Sequence, residues 1–172
     1  MSVQVFTIGH GARSSEELVE CLREAGVQTL VDVRRFPGSR RHPQFGQEAL
    51  AATVRGAGLA YVHEERLGGR RRGGERFTCI RVEAFRGYAE WMGGEAFQSA
   101  LAAALELPAP CFLCAETLWW QCHRRLIAEL LHARGHDVVH LLRPAHSDRH
   151  RPWEPISETR DGVLYLCGER VA

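Results

Sequence analysis

The 172-residue chain is predicted to adopt an α/β fold as one domain, 1–172, with a mostly parallel sheet of about five strands and helices on both faces. Three observations carry this. Strand-like and helix-like segments alternate along the chain, as in βαβ units. The strand-like segments are unbroken apolar runs, as expected for strands covered on both sides. The length and a hydrophobic content of 45% suit one core, and no repeat or linker interrupts the pattern.

The elements follow in order. Val3–Ile8 is β-rich and ends in Gly9-His10-Gly11. Ser14-Ser15-Glu16-Glu17 reads as an N-cap followed by acidic first-turn residues; Leu18, Val19, Leu22 and Ala25 then recur at helical spacing until Gly26. Thr29–Val33 is a second strand, Gln47–Arg55 a helix closed by Gly56 and Gly58, and Leu59–Val62 a third strand. A Gly/Arg loop, Arg66–Phe77, precedes two helices, Glu83–Met92 and Glu95–Leu105, split by Gly93-Gly94. Pro110–Ala115 is the fourth strand, His123–Arg134 a helix closed by Gly135, and Asp137–Leu142 the fifth strand. The polar stretch Arg143–Arg160 reads as a loop, and Val163–Leu166 as a last edge strand.

All 22 basic side chains are arginine; the chain contains neither Lys nor Asn. A P-loop and a lysine Schiff base are therefore excluded, as is N-glycosylation. Residues 34–86 hold 12 Arg against 5 Glu, a local charge of +7, which suggests a face that attracts anions such as nucleic acid or nucleotides. No apolar run is long enough for a membrane helix, and no secretory signal is legible at the start. A cytoplasmic location with six reduced thiols is the resulting expectation.

In parallel sheets ligands bind at the carboxyl ends of the strands. His10, Asp32 and Glu116 follow such ends and are the candidate acids and bases. Arg34 and Ser39 belong to a loop suited to gripping phosphate, and Tyr61 lies on a strand leading to the same rim. Trp119 and Trp120 are candidates for stacking a base. Cys122, at a helix start where the dipole favours a thiolate, is a candidate nucleophile, with His123 and Arg124 beside it. Cys111 and Cys114 form C-x-x-C, but within a strand the two face opposite sides, so dithiol chemistry is not expected. Zinc held by Cys114, Cys122, His123 and His10 matches no compact motif, so neither metal nor other cofactor is expected.

The segments TIGHG at 7–11, LVDVRRFPGS at 30–39, YVHEERLGG at 61–69, RGYAEWM at 86–92, FLCAETLWWQCHRRLIA at 112–128 and HDVVHLL at 136–142 carry a resemblance. In content and order they resemble the domain-of-unknown-function family 488 (DUF488). The resemblance implies a small Rossmann-like domain, with nucleic-acid or nucleobase processing as the favoured activity. Gly68 and Gly69, just past the third strand on the same rim, complete the substrate-binding candidates. The family often has Ser where this chain has Gly11, so no anion-binding hydroxyl is expected there.

Three functions are compatible with these residues. The first is hydrolysis of an N-glycosidic bond by carboxylate-activated water, as in DNA-repair glycosylases but without an imine. The second is a module that binds nucleic acid without chemistry. The third is a thiol-dependent enzyme built on Cys122.

Overall fold

The computed structural model describes all residues, 1–172. Its elements are β1 (Gln4–Gly9), α1 (Ser15–Glu24), β2 (Thr29–Asp32), α2 (Gln47–Gly56), β3 (Ala60–His63), α3 (Glu83–Met92), α4 (Glu95–Leu105), β4 (Pro110–Cys114), α5 (Arg124–Ala133), β5 (Asp137–Arg143), β6 (His146–Arg149), β7 (Ser157–Arg160), β8 (Val163–Leu166) and β9 (Glu169–Arg170). The main sheet has six strands in the order β3-β2-β4-β1-β5-β6. All its pairs are parallel except β5–β6, which is antiparallel.

Strand side chains alternate between the two faces, and each face has its own core. Phe6, Ile8, Leu30, Cys111 and Leu113 pack against Leu18 and Leu22 of α1 and Leu50 and Val54 of α2. Val5, Val31, Phe112 and Cys114 pack on the other face, against α3, α4 and α5 through Tyr88, Phe97, Leu101 and Leu126. Cys111 and Cys114 thus lie on opposite faces of β4. Ser14 caps α1, its Oγ accepting from the Glu17 backbone N–H at 3.1 Å.

The C-terminal third departs from expectation. Residues 143–160 are not one loop: they contain β6 and β7. His146–Arg149 is a polar edge strand with little apolar patterning to announce it, and it forms by pairing with β5. Val163–Leu166 is not an edge strand but the centre of a second, antiparallel sheet, β7-β8-β9. Its inward residues Leu164 and Leu166, with Val171, join the core under α5. A disulfide joins Cys79 to Cys167, correcting the expectation of six free thiols; Cys21, Cys111, Cys114 and Cys122 remain free and buried.

Candidate active site

A pocket of about 340 Å³ opens at the carboxyl edge of the sheet beside β2 and β4. The segment after β2 supplies Arg34, Arg35, Phe36 and Gly38, and the loop after β3 supplies Gly69 and Arg70. The end of β4 supplies Cys114, Ala115 and Glu116, and the approach to α5 supplies Gln121, Cys122 and His123. The rim expected from the sheet rule is therefore formed, though only some of the expected residues reach it.

Cys122 and Cys114 meet at the floor. Cys122 follows a short 3-10 turn, Trp119–Gln121, and precedes α5. The Arg124 backbone N–H points at Cys122 Sγ from 3.5 Å, and His123 Nδ1 lies 3.6 Å from that sulfur and 3.7 Å from Cys114 Sγ. Burial opposes ionisation of Cys122. Hydrogen bonding from Cys114, the charge and hydrogen bond of His123 and the charge of Arg124 outweigh it, holding the thiol well below its ordinary value. Cys114 moves the opposite way, because its own proton is committed to Cys122 and it too is buried. The Cys111 thiol, across the sheet, is pushed up by burial.

Arg124 explains why an anion is favoured here. Its side chain is 1% exposed and donates to Thr7 Oγ1 at 3.1 Å and to the Glu116 carbonyl at 2.6 Å. No carboxylate pairs with it. A permanently charged guanidinium buried without a carboxylate stabilises negative charge on a neighbouring sulfur.

His123 is held by its other nitrogen. Nε2 lies 3.2 Å from the Val33 carbonyl, which can only accept, so Nε2 carries a ring proton and Nδ1 faces the sulfurs. Gly69 allows this packing, since a Cβ there would come within 3.0 Å of Nδ1. Gly68 makes a tighter approach: its Cβ would lie 2.6 Å from the Arg35 backbone nitrogen. Both glycines thus position the wall of the pocket.

Asp32 is 0% exposed and does not line the pocket. Its oxygens accept from Arg34 Nε at 2.8 Å, from Arg34 Nη2 at 2.7 Å and from the Tyr61 hydroxyl. Arg34 also donates to the Phe45 carbonyl at 2.6 Å, and burial together with the Asp32 hydrogen bond pushes the Tyr61 hydroxyl up. Asp32, Arg34 and Tyr61 therefore form a closed polar unit. His10 is buried, stacked on Phe45 with ring centres 4.6 Å apart, and is held below its ordinary value chiefly by burial. Ser39 Oγ accepts from the His42 backbone N–H at 3.1 Å, within its own turn. Trp119 is 4% exposed and stacks on His140 at 4.2 Å, so its ring faces are not open to a base; Trp120 is partly exposed beside it. Glu116 alone of the carboxylate candidates lines the pocket.

Much of the basic segment is engaged internally. Arg66 pairs with Glu64, Arg76 with Glu169, and Arg86 donates to the carbonyls of Gly74 and Ile80. Arg35 and Arg70 are the cations at the mouth. Their guanidinium carbons lie 5.2 and 6.0 Å from the ring centre of Phe36, which is 61% exposed. The sequence does not single out Phe36, and Cys114 enters there only as a dithiol or zinc candidate that is set aside. Cys114 ends a strand at the ligand-binding edge, which was a usable signal.

The three donors Cys114 Sγ, Cys122 Sγ and His123 Nδ1 lie within 4.8 Å of one another and could hold a soft cation. The sequence spacing had argued against any metal set. The fold assembles three of the four donors considered, without His10, because the segment after β4 turns back to the start of α5.

A family model described as "Domain of unknown function DUF488" matches residues 14–131. The chain belongs to the DUF488 family. The match spans β2, the cysteine pair and most of α5, and so contains every residue named as lining the pocket. Comparison with curated proteins and with solved structures gave no match.

Proposed function

We propose that this DUF488 protein is a thiol-dependent enzyme in which Cys122 attacks an anionic, ring-bearing substrate of nucleotide size. The observation that carries the reading is the placement of Cys122 Sγ. It sits at the pocket floor and the start of α5, beside a hydrogen-bonding thiol, an imidazole and a buried guanidinium that no carboxylate neutralises. In the resting site the Cys122 proton is held on His123 Nδ1, and the imidazolium keeps its Nε2–H on Val33. The thiolate attacks the electrophilic centre and His123 passes its proton to the leaving group; water from the pocket then gives a proton to His123 Nδ1 and its oxygen to the adduct, breaking the bond to sulfur and restoring the thiolate–imidazolium pair. Arg35 and Arg70 are suited to a phosphate or carboxylate, and the exposed face of Phe36 to a planar ring. A Rossmann-like reading of the sheet accords with a ligand at this edge.

Release of a nucleobase by carboxylate-activated water is the second reading, and the position of Glu116 at the pocket supports it. The closed Asp32–Arg34–Tyr61 unit argues against a working carboxylate pair. A panel of nucleosides and nucleotides, followed by chromatography and intact mass, separates the two. The thiol reading expects a covalent adduct on Cys122 and loss of turnover in Cys122→Ser. Turnover retained in Cys122→Ser but lost in Glu116→Gln would transfer the chemistry to the carboxylate.

A further inference from the structure

We infer that Cys114, Cys122 and His123 form a binding site for a thiophilic divalent cation, zinc by its chemistry, with the fourth position open to the pocket. In a tetrahedral zinc site with Zn–S of about 2.3 Å and Zn–N of about 2.0–2.1 Å, each S···N edge is about 3.6 Å. The two S···Nδ1 separations here are 3.7 and 3.6 Å, so these edges already have the required length.

The surroundings fit as well. Metal-ligating histidines commonly donate their second ring N–H to a fixed acceptor, and Val33 provides one at 3.2 Å from His123 Nε2. Gly69 on one side and the tilted Tyr88 ring, 5.0 Å away between centres, hold the imidazole in place. Two thiolates and a neutral imidazole cancel the charge of a divalent ion, which suits a buried site. The hardness of the donors matters too: two sulfurs and a nitrogen select zinc over calcium or magnesium. Three protein ligands leave one position for water, Glu116 or a substrate anion on the pocket side.

Binding forms two S–Zn bonds and one N–Zn bond, and any proton still on the sulfurs or on His123 Nδ1 passes to solvent; no electron is transferred. Metal binding stands on donor geometry alone. Its consequence rests on the thiol reading: zinc occupies the Cys122 lone pair and silences the nucleophile, reversibly.

The test uses the full-length, reduced, chelator-treated protein with cobalt(II) as the probe. The expected result is one equivalent bound, with a thiolate-to-cobalt charge-transfer band and tetrahedral visible bands that zinc abolishes. Cys114→Ser, Cys122→Ser and His123→Ala should lose or weaken these bands, while Cys111→Ser, on the opposite sheet face, should keep them. Circular dichroism of each variant separates ligand loss from unfolding. A weak six-coordinate spectrum, or charge transfer surviving in folded Cys114→Ser and Cys122→Ser, would overturn the site. Alkylation of Cys122 with and without zinc tests the masking. Reaction in the metal-free protein that zinc does not slow refutes masking. No reaction in the metal-free protein refutes the thiol reading, while the cobalt spectrum still decides the metal site.

Discussion

Replacing Cys114 with alanine removes the neighbouring thiol that lowers Cys122, while leaving His123 and the Arg124 backbone N–H in place. A hydrogen bond to a charged acceptor contributes about 1.5–3 kcal/mol, and S–H is a weak donor, so the low end applies. At about 1.4 kcal/mol per pKa unit, the Cys122 midpoint should rise by about 1 unit. The consequence for rate has two parts. On the rising limb of the pH profile the thiolate fraction falls about tenfold, but the more basic thiolate is intrinsically about threefold more nucleophilic. Alkylation there should be about threefold slower, and on the plateau about threefold faster. The assay is iodoacetamide labelling across pH, quantified on the Cys122 peptide. Cys114→Ser supplies an O–H donor of similar size and should return the midpoint to the wild-type value or below. An unchanged midpoint in Cys114→Ala, or equal shifts in the alanine and serine variants, would refute a hydrogen-bonded thiolate pair.

Three further outcomes are expected. His140 is fully buried and held down to about 2 by burial first and then by His150 and Arg124, so the native state resists its protonation. Between about pH 2 and 6.5 the unfolded chain binds the extra proton, and stability must fall as pH drops through that window. Urea unfolding should show a loss from pH 7 to pH 5 that is about 2 kcal/mol larger in wild type than in His140→Gln; equal losses would contradict the assignment. Asp32→Asn breaks a buried pair and should cost about 3–5 kcal/mol in urea unfolding while Cys122 stays reactive. Unchanged stability in that variant would instead free Asp32 for chemistry. Gly68→Ala drives a Cβ onto the Arg35 backbone and should cost about 1–3 kcal/mol and weaken nucleotide binding at the mouth; calorimetry showing neither effect would exclude the close packing.

The sheet was legible because its strands are buried on both faces and announce themselves as apolar runs. TLVD and PCFLC needed no partner to be recognised. His146–Arg149 was not legible, since a polar edge strand is defined by its neighbour β5 and not by its own pattern. The same limit governs the site. Cys122 at a helix start is a local feature and could be read from the chain. That Asp32 is enclosed by Tyr61, 29 residues away, depends on the β2–β3 register. That Trp119 is covered by His140 depends on how the turn before α5 meets β5. The meeting of Cys114 with Cys122 likewise follows from the return of the segment after β4, which residue spacing does not encode.

The most direct test of Cys122 as the reactive group is competitive alkylation of the reduced, metal-free protein at neutral pH. Burial raises the Cys21 and Cys111 thiols, and Cys114 is raised by its bond to Cys122, so all three serve as internal references. Peptide mapping after brief exposure to iodoacetamide should find Cys122 modified at least about tenfold faster than any of them. Labelling of Cys122 no faster than that of Cys21 would contradict a reactive thiolate at the pocket floor.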